Sequence, residues 1–191
     1  MTERMPCYEE YLKDHIDGCR LAHSYGTAEE AASLARHYGV DASLAYVAGL
    51  LHDVAKGRCE FGLQKMADQY QIEADCIEMK NPELLHGKIG AVMVETELGI
   101  DDEEVLSAIR WHTTGRAGMS MLEKIVYIAD LIEPGRCFEG IDDIRCLAYQ
   151  NINKAMLSAL TQVMRFIADK GFALHPNSVM AYQDILKKEE Q

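Results

Sequence analysis

Apolar residues recur every three or four positions along nearly the whole chain, and no segment alternates convincingly between apolar and polar. A period near 3.6 marks amphipathic helices, whereas half-buried strands would show a period of two. In 41–55, Leu44, Val47, Ala48 and Leu51 share one face. In 120–133, Leu122, Ile125, Val126 and Ala129 do the same, and in 151–170 the stripe is Ile152, Met156, Leu160, Val163 and Ile167. Stripes of this kind are core-facing surfaces. Gly39, Gly57, Gly99, Gly115, Gly135 and Gly171 read as helix stops. Asp41, Asp101, Ser120, Asp142 and Pro176 read as starts. The pattern predicts helices near 7–17, 19–38, 41–55, 60–70, 82–98, 102–113, 120–133, 141–169 (broken near Asn151) and 177–188. Connections this short favour a compact all-α bundle. With no repeat, low-complexity tract or Pro/Ser linker, one domain is expected over 1–191. The loop from Thr114 to Met119 stands out as a functional candidate, and 187–191 reads as a frayed tail.

Composition narrows the function classes. The chain has 191 residues, 48% hydrophobic and 26% charged, ordinary values for a globular protein. No apolar run approaches the roughly 20 residues of a membrane-spanning helix. Met1–Pro6 carries a proline and an acidic residue where a signal peptide needs an apolar core, so a cytoplasmic protein with no membrane partner is expected. The net charge of −12 argues against nucleic acid as a partner, which needs a positive stripe. A small anionic substrate stays compatible, because a few arginines and lysines beside metal ions reverse the field locally. Six cysteines (Cys7, Cys19, Cys59, Cys76, Cys137, Cys146) form no C-x-x-C pair. They read as free, mostly buried thiols rather than as disulfides or a zinc–thiolate site.

Candidate chemistry lies where polar residues interrupt apolar runs. His52-Asp53 follows Val47-Ala48-Gly49-Leu50-Leu51, His86 follows Leu84-Leu85, and His112 follows Ile109-Arg110-Trp111. Asp130 interrupts a run from Ile125 to Ile132, and His23 lies on the helix preceding His52. Each taken alone reads as a satisfied core residue, a cap or a solvated side chain. A buried charge needs a partner, however, and imidazole with carboxylate suits a divalent transition ion. Four histidines and two aspartates on different helices match the ligand supply of a dinuclear site in a bundle core. His15, His37 and His175 lack the apolar setting and read as surface or capping residues.

The order His23…His52-Asp53…Asp130 resembles the HD-domain phosphohydrolase superfamily, and His86 with His112 resembles its dinuclear branch. The segments Leu51-His52-Asp53-Val54-Ala55-Lys56, Asn81-Pro82-Glu83-Leu84-Leu85-His86-Gly87, Ile109-Arg110-Trp111-His112-Thr113-Thr114-Gly115-Arg116 and Tyr127-Ile128-Ala129-Asp130-Leu131-Ile132-Glu133-Pro134-Gly135-Arg136 resemble the bacterial YqeK family. The likeness runs over about 15–185. It departs slightly at Ser24-Tyr25-Gly26, where a more apolar stretch is usual and where Gly26 lowers helix propensity by roughly 1 kcal/mol relative to Ala. The resemblance implies an HD-type helical fold, a site favouring iron, and symmetric hydrolysis of diadenosine tetraphosphate to two ADP. By the same analogy, His23, His52, Asp53 and Asp130 hold one metal, His86 and His112 hold the other, and Asp53 bridges. A shared hydroxide then attacks an inner phosphorus. Manganese, cobalt or zinc would also accept these ligands.

Cations are sought where charge develops on the leaving diphosphate. Lys56 lies four residues after His52 and three after Asp53, hence on the same side, and reads as a phosphate ligand placed with Asp53 in the catalytic step. The simpler role is compensation of a helix dipole. Arg20, three residues before His23, reads as a phosphate ligand or an ion-pair partner. Thr113, Thr114, Gly115 and Arg116 form a second candidate anion contact. Arg136 and Arg145 join these substrate candidates, with surface pairing to Glu139, Asp142 or Asp143 as the alternative. Three other functions stay open: hydrolysis of a different nucleotide, a dinuclear-iron oxygenase, and a non-catalytic nucleotide-sensing module. The product pattern separates the first; redox-active iron and oxygen access mark the second; a lost ligand would mark the third, and none is lost. No heptad or patch decides whether the chain forms a homodimer.

Overall fold

The computed structural model describes residues 5–57 and 60–190, and the regular structure there is helical. Helix α1 (Met5–His15) leads into α2 (Gly18–Tyr38), capped by Asp17, and α3 (Ala42–Leu51) starts on Asp41, whose carboxylate takes the amides of Ser43 and Leu44. After α4 (Glu60–Gln69), a 3-10 turn (Pro82–Leu85) precedes α5 (His86–Leu98) and α6 (Glu103–Trp111). Next come α7 (Met121–Ile132), α8 (Ile141–Ala148), α9 (Ile152–Asp169) and α10 (Pro176–Glu189). Among the described residues no helix is long and apolar enough to cross a membrane.

Helix α2 packs on α3 and α7; α6 packs on α3, α5 and α7; and α9 packs on α7, α8 and α10. Leu122, Ile125, Val126, Ile128 and Ile132 on α7 are all buried. Burial is worth about 1.5–3 kcal/mol for each such side chain. The Ser120–Glu123 capping box that starts α7 adds only about 1 kcal/mol. Packing therefore sets the position of α7, and the cap sets where it begins. α2 and α3 approach unusually closely because residue 49 is glycine: a Cβ there would stand 2.9 Å from the Ala28 Cα. That approach brings the two helices' histidines into contact.

Two helices end earlier than their apolar pattern, for one reason. In a continuing helix the Asp53 amide would bond to the Gly49 carbonyl. The His52 ring takes that carbonyl instead, Nδ1 donating at 2.6 Å, and α3 stops at Leu51 rather than near residue 55. His112 Nδ1 likewise takes the Ile109 carbonyl at 2.7 Å, and α6 stops at Trp111 rather than at 113. The segment expected to be helical from 82 begins as the 3-10 turn, with His86 Nδ1 on the Glu83 carbonyl. The break near Asn151 is present; its side chain caps the Asn153 and Lys154 amides.

Smaller corrections follow the same local logic. Asp102, not Asp101, caps α6, because its carboxylate reaches the Glu104 and Val105 amides. Asp142 lies inside the first turn of α8 rather than before it. The expected fraying of 187–191 gives way to helix through Glu189, whose carboxylate accepts from the side-chain amides of Asn151 and Asn153. Among the described residues Cys7, Cys19, Cys76, Cys137 and Cys146 are free but exposed, so the general tendency of thiols to bury misleads here. Cys59 lies outside the described residues.

Candidate metal centre

Six side chains from five places in the chain converge where α2, α3, α5, α6 and α7 meet. His52 and His112 stand just past the ends of α3 and α6, His86 stands at the join of the 3-10 turn and α5, Asp130 lies in the last turn of α7, and His23 lies within α2. Carbonyls accept only, so His52, His86 and His112 each carry their proton on Nδ1. His23 Nδ1 faces the Glu133 carboxylate at 3.2 Å and must donate as well. All four Nε2 atoms are thereby left as lone pairs pointing inward.

The cluster divides at Asp53. On its Oδ2 side, His23 Nε2 lies 3.3 Å from His52 Nε2 and 3.0 Å from Asp130 Oδ1. Oδ2 itself is 3.6 Å from His52 Nε2 and 3.9 Å from His23 Nε2. On the Oδ1 side, His86 and His112 bring their Nε2 atoms to 3.3 and 3.4 Å of Oδ1 and to 2.9 Å of each other. One carboxylate thus offers one oxygen to each half.

Burial holds His52 neutral, lowering its pKa to about 4 despite the nearby Asp53 and Asp130, and burial lowers His86 in the same way. Burial also opposes a charge on His23, but the hydrogen bond and charge of Asp130, with the bond to Glu133, overbalance it and raise the pKa. Asp53 lies well below the usual carboxylate range: burial opposes its charge, and His52, His112 and His86 outweigh that opposition. Without a cation, the Nε2 lone pairs of the neutral His52 and His86 rings face neighbouring ring nitrogens and the oxygens of Asp53. Asp53 Oδ1 is buried with no hydrogen-bond donor. Ligand atoms about 2.0–2.2 Å from one tetrahedral ion stand roughly 3.3–3.6 Å apart, close to the spacings in both halves. The donor set fits divalent transition ions, and His23, His52 and Asp130, or His52, Asp53 and His112, each lie close enough to share one.

The cationic candidates separate into two groups. Arg20 Nη1 lies 2.6 Å from Asp53 Oδ2, Lys56 Nζ lies 3.7 Å from Asp53 Oδ1, and Arg136 Nη2 lies 2.7 Å from Asp130 Oδ1. These three line, with His23 and Glu133, an open cavity of about 620 Å³. Thr113 Oγ1 stands 3.1 Å from both His86 Nε2 and His112 Nε2. The others are committed elsewhere. Arg116 makes a two-pronged pair with buried Glu123, at 2.8 and 3.1 Å, and so braces the start of α7. Arg145 donates to the carbonyls of Ile132, Glu133 and Arg136 and to Asp142, tying down the segment that carries Arg136. Thr114 and Gly115 shape the loop: the Thr114 hydroxyl bonds the Gly115 carbonyl, and Ser178 on α10 holds the Thr114 carbonyl.

Asp75, Glu78 and His175 also lie together, but hydrogen bonds already satisfy them. The His175 Nδ1 accepts the Asn177 amide, so Nε2 carries the proton it gives to Asp75 at 2.8 Å, and Lys88 holds Glu78. His175 is the cap of α10, as its sequence setting suggests. Sequence reasoning gave Glu133 no role, although its spacing from Asp130 places it one turn on along the same helix face.

The HD domain family model matches residues 20–135. The chain is 36% identical over 180 residues, 94% of each chain, to a Bacillus subtilis protein named "Bis(5'-nucleosyl)-tetraphosphatase, symmetrical". A Staphylococcus aureus protein of the same name is 37% identical over 169 residues, 87% of each chain. A crystal structure of an HD superfamily hydrolase from Clostridium acetobutylicum, described as involved in NAD metabolism, superposes with a TM-score of 0.92 at 39% identity, covering 96% of this chain and 97% of that one.

Stripping divalent ions from the metal-loaded protein should lower its melting temperature, because the lone pairs and carboxylates lose the cation that offsets them. Thermal melting before and after chelation, with ions added back, checks this; an unchanged midpoint after complete removal would contradict a shared core site.

Proposed function

The chain belongs to the HD domain family, and from that membership and the geometry of its cluster we propose that it hydrolyses diadenosine tetraphosphate symmetrically, to two ADP. The observation that carries this reading is the row of Arg20, Lys56 and Arg136 along a cavity walled by His23. A polyanion lying there meets three cations beside the metal ligands, in a chain whose net charge is −12. His23, His52, Asp53 and Asp130 would hold one ion; His86 and His112 would hold a second, with Asp53 shared. Divalent ions so held supply a water acidified toward neutral pH and offset charge on a phosphoryl oxygen.

The protein's own groups do the rest. Arg20 and Lys56, both against Asp53, keep its carboxylate oriented and present their remaining donors to the phosphate chain. Arg136, anchored through Nε to the Asp130 carbonyl, presents the opposite wall. Water attacks an inner phosphorus, its bond to the bridging oxygen breaks, and ADP leaves with a new negative charge that these cations stabilise. The Thr113 hydroxyl is placed to donate to a phosphoryl oxygen beside His86 and His112. Iron as the resident metal, a cytoplasmic location, and one domain over 1–191 belong to the same reading.

Anaerobic incubation of the ferrous- or manganese-loaded protein with diadenosine tetraphosphate, with products resolved by anion exchange, should give ADP alone. ATP plus AMP would put the attack at an outer phosphorus and contradict the placement. Asp53→Ala, which strips a ligand from both halves, should take turnover below detection, while His112→Ala, which strips one ligand from one half, should leave a measurable residual turnover. Near-normal turnover in Asp53→Ala would rule out the shared role.

A further inference from the structure

His23 differs from the other three histidines in how its ring is held. His52, His86 and His112 stand at helix ends or joins and each uses a carbonyl three residues back. His23 lies inside α2, where the helix already uses the nearby carbonyls. Its Nδ1 proton needs an acceptor from another element, and Glu133 provides it at 3.2 Å. Glu133 is only 5% exposed. Both of its oxygens accept: Oε1 from His23, and Oε2 from the Gly135 amide. α2 passes this carboxylate at Gly26, where a Cβ would stand 2.7 Å from Oε2 and 3.4 Å from the carboxyl carbon. The glycine that weakens helix propensity in α2 therefore makes room for the partner of His23.

We infer that Glu133 is the positioning residue for His23, fixing its tautomer and orientation and strengthening Nε2 as a donor to the ion on the Asp130 side, and that Gly26 exists to admit it. The inference rests on the metal reading of the cluster. A carbonyl fixes a ring's proton and angle; a carboxylate does both and adds a full negative charge behind the ring, raising the basicity of the ligating nitrogen. His23 is also the most exposed of the four, its side chain 14% accessible against 0% for His52 and 1% for His112, so packing alone restrains it least. Glutamine cannot replace Glu133. An amide oxygen turned to His23 puts its NH2 against the Gly135 N–H, and the reverse turn puts NH2 against His23 Nδ1.

The test compares metal-free wild type, Glu133→Ala, Glu133→Gln and Gly26→Ala. Each is titrated with cobalt(II) against a competing chelator, and bound ions are counted. Histidine tautomers of the zinc-loaded proteins are read from 15N NMR. Wild type should bind two ions. Both Glu133 variants should bind one of them about 10–100-fold more weakly while keeping the other, and Glu133→Gln should shift the Nδ1–H signal of one histidine. Gly26→Ala gains helix propensity, so its metal-free melting temperature should stay within a few degrees of wild type while the same ion weakens. This variant and Glu133→Gln carry the test if Glu133→Ala does not fold. Unchanged cobalt affinity and an unchanged His23 signal in both, with two ions in wild type, would overturn the role of Glu133 and leave the metal reading standing. Equal weakening of both ions would overturn it too. A wild type that takes up no cobalt would overturn the metal reading, and the role with it.

Discussion

Four imidazole nitrogens and two carboxylates face one another in the middle of this bundle with their protons turned outward. His86 and His112 bring Nε2 atoms to 2.9 Å, and Asp53 Oδ1 lies between them without a donor. An arrangement of this kind is unfavourable in itself, since an unpaired buried polar group costs about 1–3 kcal/mol and a charged one more. It becomes favourable around cations. The surrounding structure is best understood as what is needed to hold these groups in place until ions arrive.

That requirement reaches into the secondary structure. α3 and α6 stop where they do because histidine rings take the carbonyls that the next turn would use. α2 can approach α3 because residue 49 has no side chain, and α2 can approach the end of α7 because residue 26 has none. The apolar side chains of α7 fix Asp130 and Glu133 in one stroke, since both ride on a helix whose position is set by burial. Arg116, paired with Glu123, and Arg145, bonded to the Ile132 and Glu133 carbonyls, brace the start and the end of that same helix.

Much of this was legible in the sequence. The 3.6 periodicity located the helices because core burial dominates their placement, and polar residues breaking apolar runs located the six side chains that converge because a buried charge demands a reason. The break at Asn151 was legible for the same kind of cause, a side chain that caps better than it continues a helix. Helix ends at Leu51 and Trp111 were not, because a ring competing for its own backbone carbonyl leaves no mark on periodicity. Nor was the division of the arginines. Arg20 and Arg116 look alike as exposed cations near histidines, and only the fold reveals that Glu123 claims the second while Asp53 holds the first at the cavity. Gly26 read as a flaw in a helix; its purpose needs Glu133, 107 positions away in the chain and adjacent in space.

On the reading proposed above, one carboxylate, Asp53, joins two ion sites. Crystals of the protein grown with iron or manganese, with diffraction recorded on both sides of the metal's absorption edge, test it most directly. Two anomalous peaks are expected, one between His23, His52 and Asp130 and one between His86 and His112, each within bonding distance of a different oxygen of Asp53. A single peak, or none at this cluster in crystals shown to contain the metal, would contradict it.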